Sequence, residues 1–511
     1  MNFMFVKIVR KKYNGKEYRH AELVETFREK GKIKHKLIRN LGSMKSKEDE
    51  ERVLQLADSM KSGKMLFSLN EANEKSFEYG VYFVVKKIWE KLNMNVLFYS
   101  KKTKIDLNDL LPLLIAHRLH NYGSCNLSER EAHRWICKEA YSKIDRLSLQ
   151  QVYRTLYLLF KKKNEIERHL CNTLNTKSEV IFYDLTSSYL EGDYDESNLV
   201  DFGYNRDKKK GKKQIVLGLL LKDNLPIAHE VWRGNTADKS TLKEAVMQTK
   251  SLGINNFIFV ADRGIITEKN IEFIEDEKLQ YIIATQRRKG TLVKELMQKE
   301  ITTEVEKVYY DSKTKRAYYL CYNKQVALVQ LGKLKKMKKT LEKKISELKK
   351  PSEHKVYSML GKTAKYFKFK FAPFSFEINK EINDYEKSIA GKYLLITNNL
   401  KLSADDIKKT YKQLAEIERA FGEIKHLENM RPLFHKKDDA IKAHIFLCVL
   451  TLFIERYIQA KVKTATARQL LAELKMLKLS KINKFYVRTE LSNEQNRILK
   501  ALNIEEPVKI M

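Results

Sequence analysis

Cysteine is scarce in this chain. Cys125, Cys137, Cys171, Cys321 and Cys448 lie far apart and never at Cys-x2-Cys spacing. That argues against a disulfide framework and against a cysteine-held zinc site, and it fits a reducing cytosol. Long hydrophobic runs are missing too. The longest, Ile445 to Ile454, is too short to span a bilayer and reads as a core helix. The opening MNFMFVKIVRKK has no long apolar region of the kind a secretory leader carries, so a cytoplasmic protein is expected. Acidic residues are in deficit: 65 Asp+Glu stand against 99 Lys+Arg, a net charge of +34. A metabolic enzyme rarely needs such a surplus, and a protein that binds a polyanion does.

With 511 residues and 43% hydrophobic content, more than one cored domain is expected. Residues 1–42 alternate apolar and basic positions, with turn signals at Asn14-Gly15 and Lys30-Gly31-Lys32, which predicts a three-stranded basic meander. Residues 43–177 read as helical. Residues 178–285 alternate strands and helices, with an Asp223-Asn224 turn between two strands and Thr236 and Asp238 as helix N-caps. Residues 286–390 read as a β-rich basic insertion that includes an amphipathic helix over Lys333 to Lys350. Residues 391–463 return to the core, and 464–511 form a C-terminal region.

The stretch YKQLAEIERAFGEIK, Tyr411 to Lys425, reads as one helix, with Leu414, Ile417, Phe421 and Ile424 at helical period. Tyr411, Glu418 and Lys425 are seven residues apart, nearly two turns, so they share one edge bordering the apolar stripe. Glu416 and Glu423 fall on the opposite, solvent side. Two aspartates complement Glu418. Asp184 closes the apolar run Val180 to Tyr183, and Asp262 closes Phe257 to Ala261. Each reads as a buried strand delivering an acid at its C-terminal end, where α/β sheets build sites. A single strand-end aspartate is usually a turn or cap residue; the ordered set of three converging on divalent metal is the sharper reading. Asp193, Asp195 and Asp201 fall in a polar loop and read as solvated.

These residues carry a resemblance. The chain is similar to the DDE transposases of bacterial insertion sequences, the group whose third acid lies in a Tyr-x2-Arg-x3-Glu-x6-Lys helix. Tyr411, Glu418 and Lys425 match that pattern, and Leu414 stands where it has Arg. YDLTSSYLEG around Asp184, HEVWRGNTADKSTL from His229, VADRGIITEKN around Asp262 and RPLFHKKDDAIKAH from Arg431 extend the resemblance over about residues 180–460. It implies an α/β fold of several domains: a ribonuclease-H-like mixed sheet with flanking helices, interrupted by the insertion and preceded by a helical region that binds element ends.

The resemblance also implies roles. Asp184, Asp262 and Glu418 are the catalytic and metal-binding acids, holding two Mg²⁺ (Mn²⁺ can substitute), with Asp184 bridging. Tyr411 and Lys425 are DNA contacts near the transferred end. Arg287 and Arg288 are candidates to replace the missing arginine, and Lys208, Lys209, Lys210, Lys212 and Lys213 form a further DNA-binding tract. The partner is double-stranded DNA, both element ends and target, gripped by a homodimer on paired ends of a nucleoid-associated enzyme. No tryptophan lies in 286–390; Tyr309, Tyr310, Tyr318, Tyr319 and Tyr322 are its aromatic candidates for stacking on a base. Two rivals share these features: a ribonuclease-H-like nuclease without strand transfer, and an inactive, domesticated DNA-binding transposase.

Overall fold

The structure is a computed structural model describing residues 3–13, 16–29, 32–44, 46–61, 72–98, 105–122, 128–144, 146–174, 179–190, 192, 194–204, 206, 211–286, 290–348, 351–427, 430, 433, 435–482 and 485–511. The chain divides into two units. One comprises residues 1–77, 478–490 and 508–511, the other 78–477 and 491–507.

In the first unit, β1 (Phe3–Tyr13), β2 (Lys16–Glu29) and β3 (Lys32–Met44) pair antiparallel as the expected meander. Its two turn signals fall on Asn14, Gly15, Lys30 and Gly31, outside the described residues. Ala21, Leu23, Leu41 and Met44 pack on Val53 and Ala57 of α1 (Lys47–Lys61), while Arg10, Lys11, Lys12, Lys34, Lys36 and Arg39 are exposed. A second sheet joins β4 (Ala72–Glu78), β15 (Lys478–Ile482) and β16 (Phe485–Arg488) in the order β16-β15-β4. The C-terminal stretch 464–511 is therefore not one region, because the edge of β4 gives the 478–488 hairpin a pairing partner.

The second unit opens with α2 (Gly80–Lys91), α3 (Leu107–His120), α4 (Glu129–Lys138), α5 (Leu149–Lys161) and α6 (Lys163–Leu174). Their starts follow capping chemistry: the side chains of Asp106, Ser128 and Ser148 each accept a first-turn backbone N–H. The α/β core follows, with β5 (Val180–Tyr189), β6 (Gln214–Lys222), β7 (Leu225–Arg233), α7 (Leu242–Ser251), β8 (Ile258–Ala261), α8 (Glu268–Asp276), β9 (Gln280–Ala284), α9 (Thr291–Gln298), β10 (Val305–Asp311) and β11 (Arg316–Tyr322). The β6–β7 turn places Asp223 and Asn224 at φ 49° and 65°, the left-handed pair a tight hairpin turn requires.

Strand order in the sheet is β10-β11-β14-β9-β8-β5-β6-β7, where β14 is Lys392–Thr397. The trio β5, β8 and β9 is parallel and the remaining pairs are antiparallel. Such a mixed sheet needs cover on both faces. One face packs Ile181, Tyr183, Phe259 and Tyr281 against Leu242 and Val246 of α7, Ile274 of α8 and Leu296 of α9. The other packs Phe182, Leu219, Val260 and Ile282 against α13 (Ala404–Lys412), α14 (Ala415–Gly422) and α15 (Asp438–Lys461), through Ile407, Ile417, Phe421, Ile445 and Leu452. The fold is the expected ribonuclease-H-like α/β arrangement.

The stretch 286–390 differs from the expectation. Its strongest strands, β10 and β11, extend the core sheet, because β11 pairs with β14 over Ala317 to Tyr322. What interrupts the core is mainly helical: α10 (Lys324–Ser346), α11 (Glu353–Leu360) and α12 (Lys380–Ser388) around one hairpin, β12 (Phe367–Phe371) with β13 (Phe374–Ile378). Ile345, Val356, Leu360 and Phe367 give it a core of its own, to which Leu334, Met337 and Leu341 of the amphipathic helix contribute. After α15 the unit closes with α16 (Ala467–Lys475) and α17 (Asn493–Ala501).

Candidate active site

Asp184 is the fifth residue of the ten in β5, so it sits mid-strand and not at a strand end. β5 runs on because Leu185 to Tyr189 pair with Gly218 to Gln214 of β6. The expectation holds on the other neighbour: the parallel pairing with β8 stops at Tyr183 opposite Ala261. Asp184 and Asp262 are thus the next residues along two adjacent parallel strands. Side chains alternate along a strand. Phe182 and Val260, two residues earlier, belong to the core under α13–α15. Both aspartates therefore project to the face that carries Glu418.

That helical arm is not one helix. α13 ends at Lys412. Bonds from Gln413 N–H to Thr410 O, Leu414 N–H to Tyr411 O, Glu416 N–H to Gln413 O and Ile417 N–H to Leu414 O tighten the chain before α14 begins. Beyond Gly422 the spiral widens into a π-turn over Glu423–Leu427. The seven-residue spacing consequently does not give one common environment: Tyr411 is half-buried, Glu418 exposed and Lys425 buried. Glu416 and Glu423 are not on an open solvent face either. They are half-buried, Glu416 paired with Arg419 and Glu423 with Arg456. Leu414 lies in the core beside Ile417 and Phe421, so at this position the chain has replaced a charged contact by packing.

Asp184 feels the crowding of acids. Burial is the main cause that pushes its carboxyl up to about 7, and Asp262 and Glu418 add to the rise; the Leu185 backbone N–H and Arg206 oppose it. Asp262 accepts a 3.0 Å hydrogen bond from the Tyr411 hydroxyl. Burial and that carboxylate hold the Tyr411 phenol far above its usual range, so it remains a donor at any working pH. Its ring lies 5.9 Å from that of Tyr393. The expected phosphate ligand is thus engaged with the second aspartate.

A divalent cation fits this donor set. Three carboxylates offer oxygen ligands of the type Mg²⁺ and Mn²⁺ prefer, and a cation would offset both the burial of Asp184 and the negative charge that Asp262 and Glu418 add beside it. The ligating atoms of the three acids do not all lie within 4.8 Å of one another. Among the described residues, the one group of three ligating atoms within 4.8 Å of one another is Glu129, His435 and His444, which composition gave no reason to single out. In it His444 Nδ1 lies 2.8 Å and His435 Nε2 3.1 Å from the two carboxylate oxygens of Glu129. Arg118 reaches Glu129 at 3.6 Å. Burial opposes the Glu129 charge, yet His444 and His435 hold its carboxyl well below the usual range. Arg118 already balances that charge, so the group reads as a buried network tying α4 to α15.

The remaining expected residues scatter. Lys208, Lys209, Lys210, Arg287 and Arg288 lie outside the described residues. Lys212 is exposed, and Lys213 is ion-paired with Asp195 at 2.6 Å. Tyr318 and Tyr319 are buried in the sheet, while Tyr309 and Tyr310 are exposed. Thr236 and Asp238 do not cap α7: Asp238 starts a short 3₁₀ turn and pairs with Arg206 at 2.6 Å. Arg206 itself escaped notice in a polar loop without periodicity.

Residues 175–454 match the transposase DDE domain family, more than half of the chain, and the chain belongs to the DDE transposases, DNA-cleaving enzymes that use divalent metal. It is, more particularly, an insertion-sequence transposase: residues 6–68 match the N-terminal domain of IS1634 family transposases. Among solved structures, the piggyBac transposase synaptic complex with hairpin DNA is similar, with 9% identity and a TM-score of 0.38 over 78% of this chain and 77% of that one. None of the curated proteins matches the chain. Among the described residues no helix is long and apolar enough to cross a membrane.

Proposed function

We propose that Asp184, Asp262 and Glu418 are the catalytic acids of this transposase, holding two Mg²⁺ while it cuts the ends of its own element and joins the 3′-OH ends to target DNA. The observation that carries this reading is the register of β5 and β8, which sets Asp184 beside Asp262 on the face covered by the Glu418 arm. When bound, paired divalent ions activate an oxygen nucleophile and stabilise the leaving oxygen of a phosphodiester. The chain's own residues do the rest. Asp184 would be the ligand shared by the two ions, with Asp262 and Glu418 each completing one metal site. Tyr411 donates to one oxygen of Asp262 and the other would remain to hold a cation, so Tyr411 is a positioning residue rather than a phosphate ligand. Glu418, exposed on α14, would supply the third carboxylate. Lys212, exposed, adds positive charge toward DNA, whereas Lys425 is buried and contributes its charge from within the fold rather than as an open contact. The enzyme acts as a homodimer on paired ends in the cytoplasm, on the nucleoid.

The test uses a labelled duplex carrying the border of the element with a supercoiled target plasmid. With Mg²⁺, joined products carrying the label are expected; with EDTA, none. Nicked duplex without joined product would favour a nuclease lacking strand transfer.

A further inference from the structure

Position 414 is a core leucine here, so the guanidinium that the related helix pattern places there must come from elsewhere if a phosphate is to be gripped by a fork of N–H donors. The loop between β5 and β6 offers one. Arg206 lies close enough to act on the Asp184 charge. Its backbone N–H donates to Ser187 Oγ at 2.8 Å, and its Nη2 meets Asp238 Oδ2 at 2.6 Å, with a quarter of the side chain exposed.

The described backbone ahead of Arg206, from Asp201 to Tyr204, is held at several points. Asp201 exchanges both backbone hydrogen bonds with Gln214, at 3.1 and 2.8 Å. Gln214 Nε2 donates to Gly234 O and to Tyr204 O at 2.8 and 3.2 Å. Gly203 and Gly234 let two chain segments touch: a Cβ on Gly203 would fall 1.9 Å from Gly234 O, and one on Gly234 would fall 2.1 Å from Gln214 O. Arg233 closes the Asp201 side at 3.0 Å. Yet this pinned loop holds two aromatic side chains in solvent, Phe202 at 56% and Tyr204 at 84% exposure. Folding alone gives no reason to expose them. Exposed rings on the pinned Asp201–Tyr204 segment, followed by a quarter-exposed guanidinium, make a surface suited to a nucleic-acid strand, rings toward sugar and base, fork toward phosphate.

We infer that the pinned Asp201–Tyr204 segment and Arg206 form a strand clamp in which Arg206 binds the phosphate to be cut, taking the place of the arginine absent at position 414. The inference rests on the assignment of Asp184 above. Asp238 holds the guanidinium until a phosphate competes for it, and Tyr204 lies against the flanking nucleotide.

A double-substitution cycle tests this without catalysis. The full chain is titrated in EDTA, by fluorescence anisotropy, with two border duplexes. One is unmodified and the other carries a neutral methylphosphonate at the cleavage position. The ratio of the two affinities is compared between the parent and Arg206→Ala. Arg206 on that phosphate predicts a change in the ratio of about ten-fold, the worth of one charge-assisted contact. Arg206→Lys, which keeps the charge and loses the fork, should fall between. Asp238→Asn should leave the ratio at the parental value, since it removes only the resting partner. A ratio unchanged in Arg206→Ala, with melting temperature falling equally in Arg206→Ala and Asp238→Asn, would reduce Arg206 to a loop anchor and overturn the proposal. Mg²⁺-dependent cutting of the unmodified duplex by the parent reports separately on the three acids. If the parent cuts and the cycle shows no coupling, only the clamp fails.

Discussion

Replacing Asp184 by Asn should make the metal-free protein more stable while abolishing cleavage. The carboxyl of Asp184 is raised from 3.8 to about 7, chiefly by burial and then by Asp262 and Glu418. An acid that holds its proton more tightly when folded than when unfolded costs stability as pH rises. The cost is absent below the unfolded value, grows between it and the folded value, and is complete above about 7. At about 1.4 kcal/mol per pH unit the full shift corresponds to roughly 4 kcal/mol. The side chain is only half-buried and water relaxes around it, so about 2 kcal/mol is the working figure. In a unit of this size that is a rise of a few degrees in melting temperature, on the order of 2–4 °C. The assay is thermal unfolding of parent and Asp184→Asn in EDTA at pH 8 and pH 5.5. The gain should be largest at pH 8 and fall by about half at pH 5.5, and Mg²⁺ should stabilise the parent at pH 8 but not the variant. A variant no more stable than the parent at pH 8, or a gain independent of pH, would refute the claim that burial and the neighbouring acids hold this carboxyl up.

Further outcomes follow from the same geometry. Tyr411→Phe removes the hydrogen bond to Asp262 and should raise the Mg²⁺ concentration needed for half-maximal cleavage several-fold; duplex affinity in EDTA should stay within about two-fold of the parent, whereas a large loss there would restore Tyr411 to the role of phosphate ligand. Leu414→Arg restores the related pattern on paper, yet it forces a charge into the core of Ile417 and Phe421 and should destabilise by roughly 3 kcal/mol or more in denaturant unfolding; unchanged stability with tighter DNA binding would contradict the packing described. Non-specific duplex affinity should fall steeply with salt, because lysines and arginines displace condensed counterions; a flat plot of log K against log salt would make the +34 charge a matter of composition alone.

Much of the core was legible because burial on both faces of a strand leaves an unbroken apolar run. Val180 to Tyr183 and Phe257 to Ala261 reveal both aspartates for this reason, and the Asp223-Asn224 pair reveals its hairpin by conformational preference. Hydrogen-bond pattern leaves no such trace. Ile417, Phe421 and Ile424 keep helical spacing through a tightened turn at 413–414 and a π-turn at 423–427, so the sequence suggested one helix with a common edge for Tyr411, Glu418 and Lys425. Pairing partners are equally hidden: nothing in KVYYDSKTKRAYYLCY says that it extends the core sheet, and only the register with β14 decides that. Arg206 and Glu129 went unremarked because each takes its meaning from residues distant in sequence, Asp184 and Asp238 for one, His435, His444 and Arg118 for the other.

The central claim, that three carboxylates on one face cut DNA with divalent metal, is tested most directly at Asp262. Asp262 follows a four-residue strand that is buried throughout, and its carboxylate is bonded only to Tyr411 among the hydrogen bonds described. Asp262→Ala therefore removes a metal ligand with little disturbance to packing. Cleavage and gel shift are measured on one border duplex in Mg²⁺. The account predicts duplex affinity equal to the parent or slightly higher, since negative charge beside a phosphate path is gone, and cleavage reduced by several orders of magnitude. An Asp262→Ala protein that still cuts near the parental rate would contradict it.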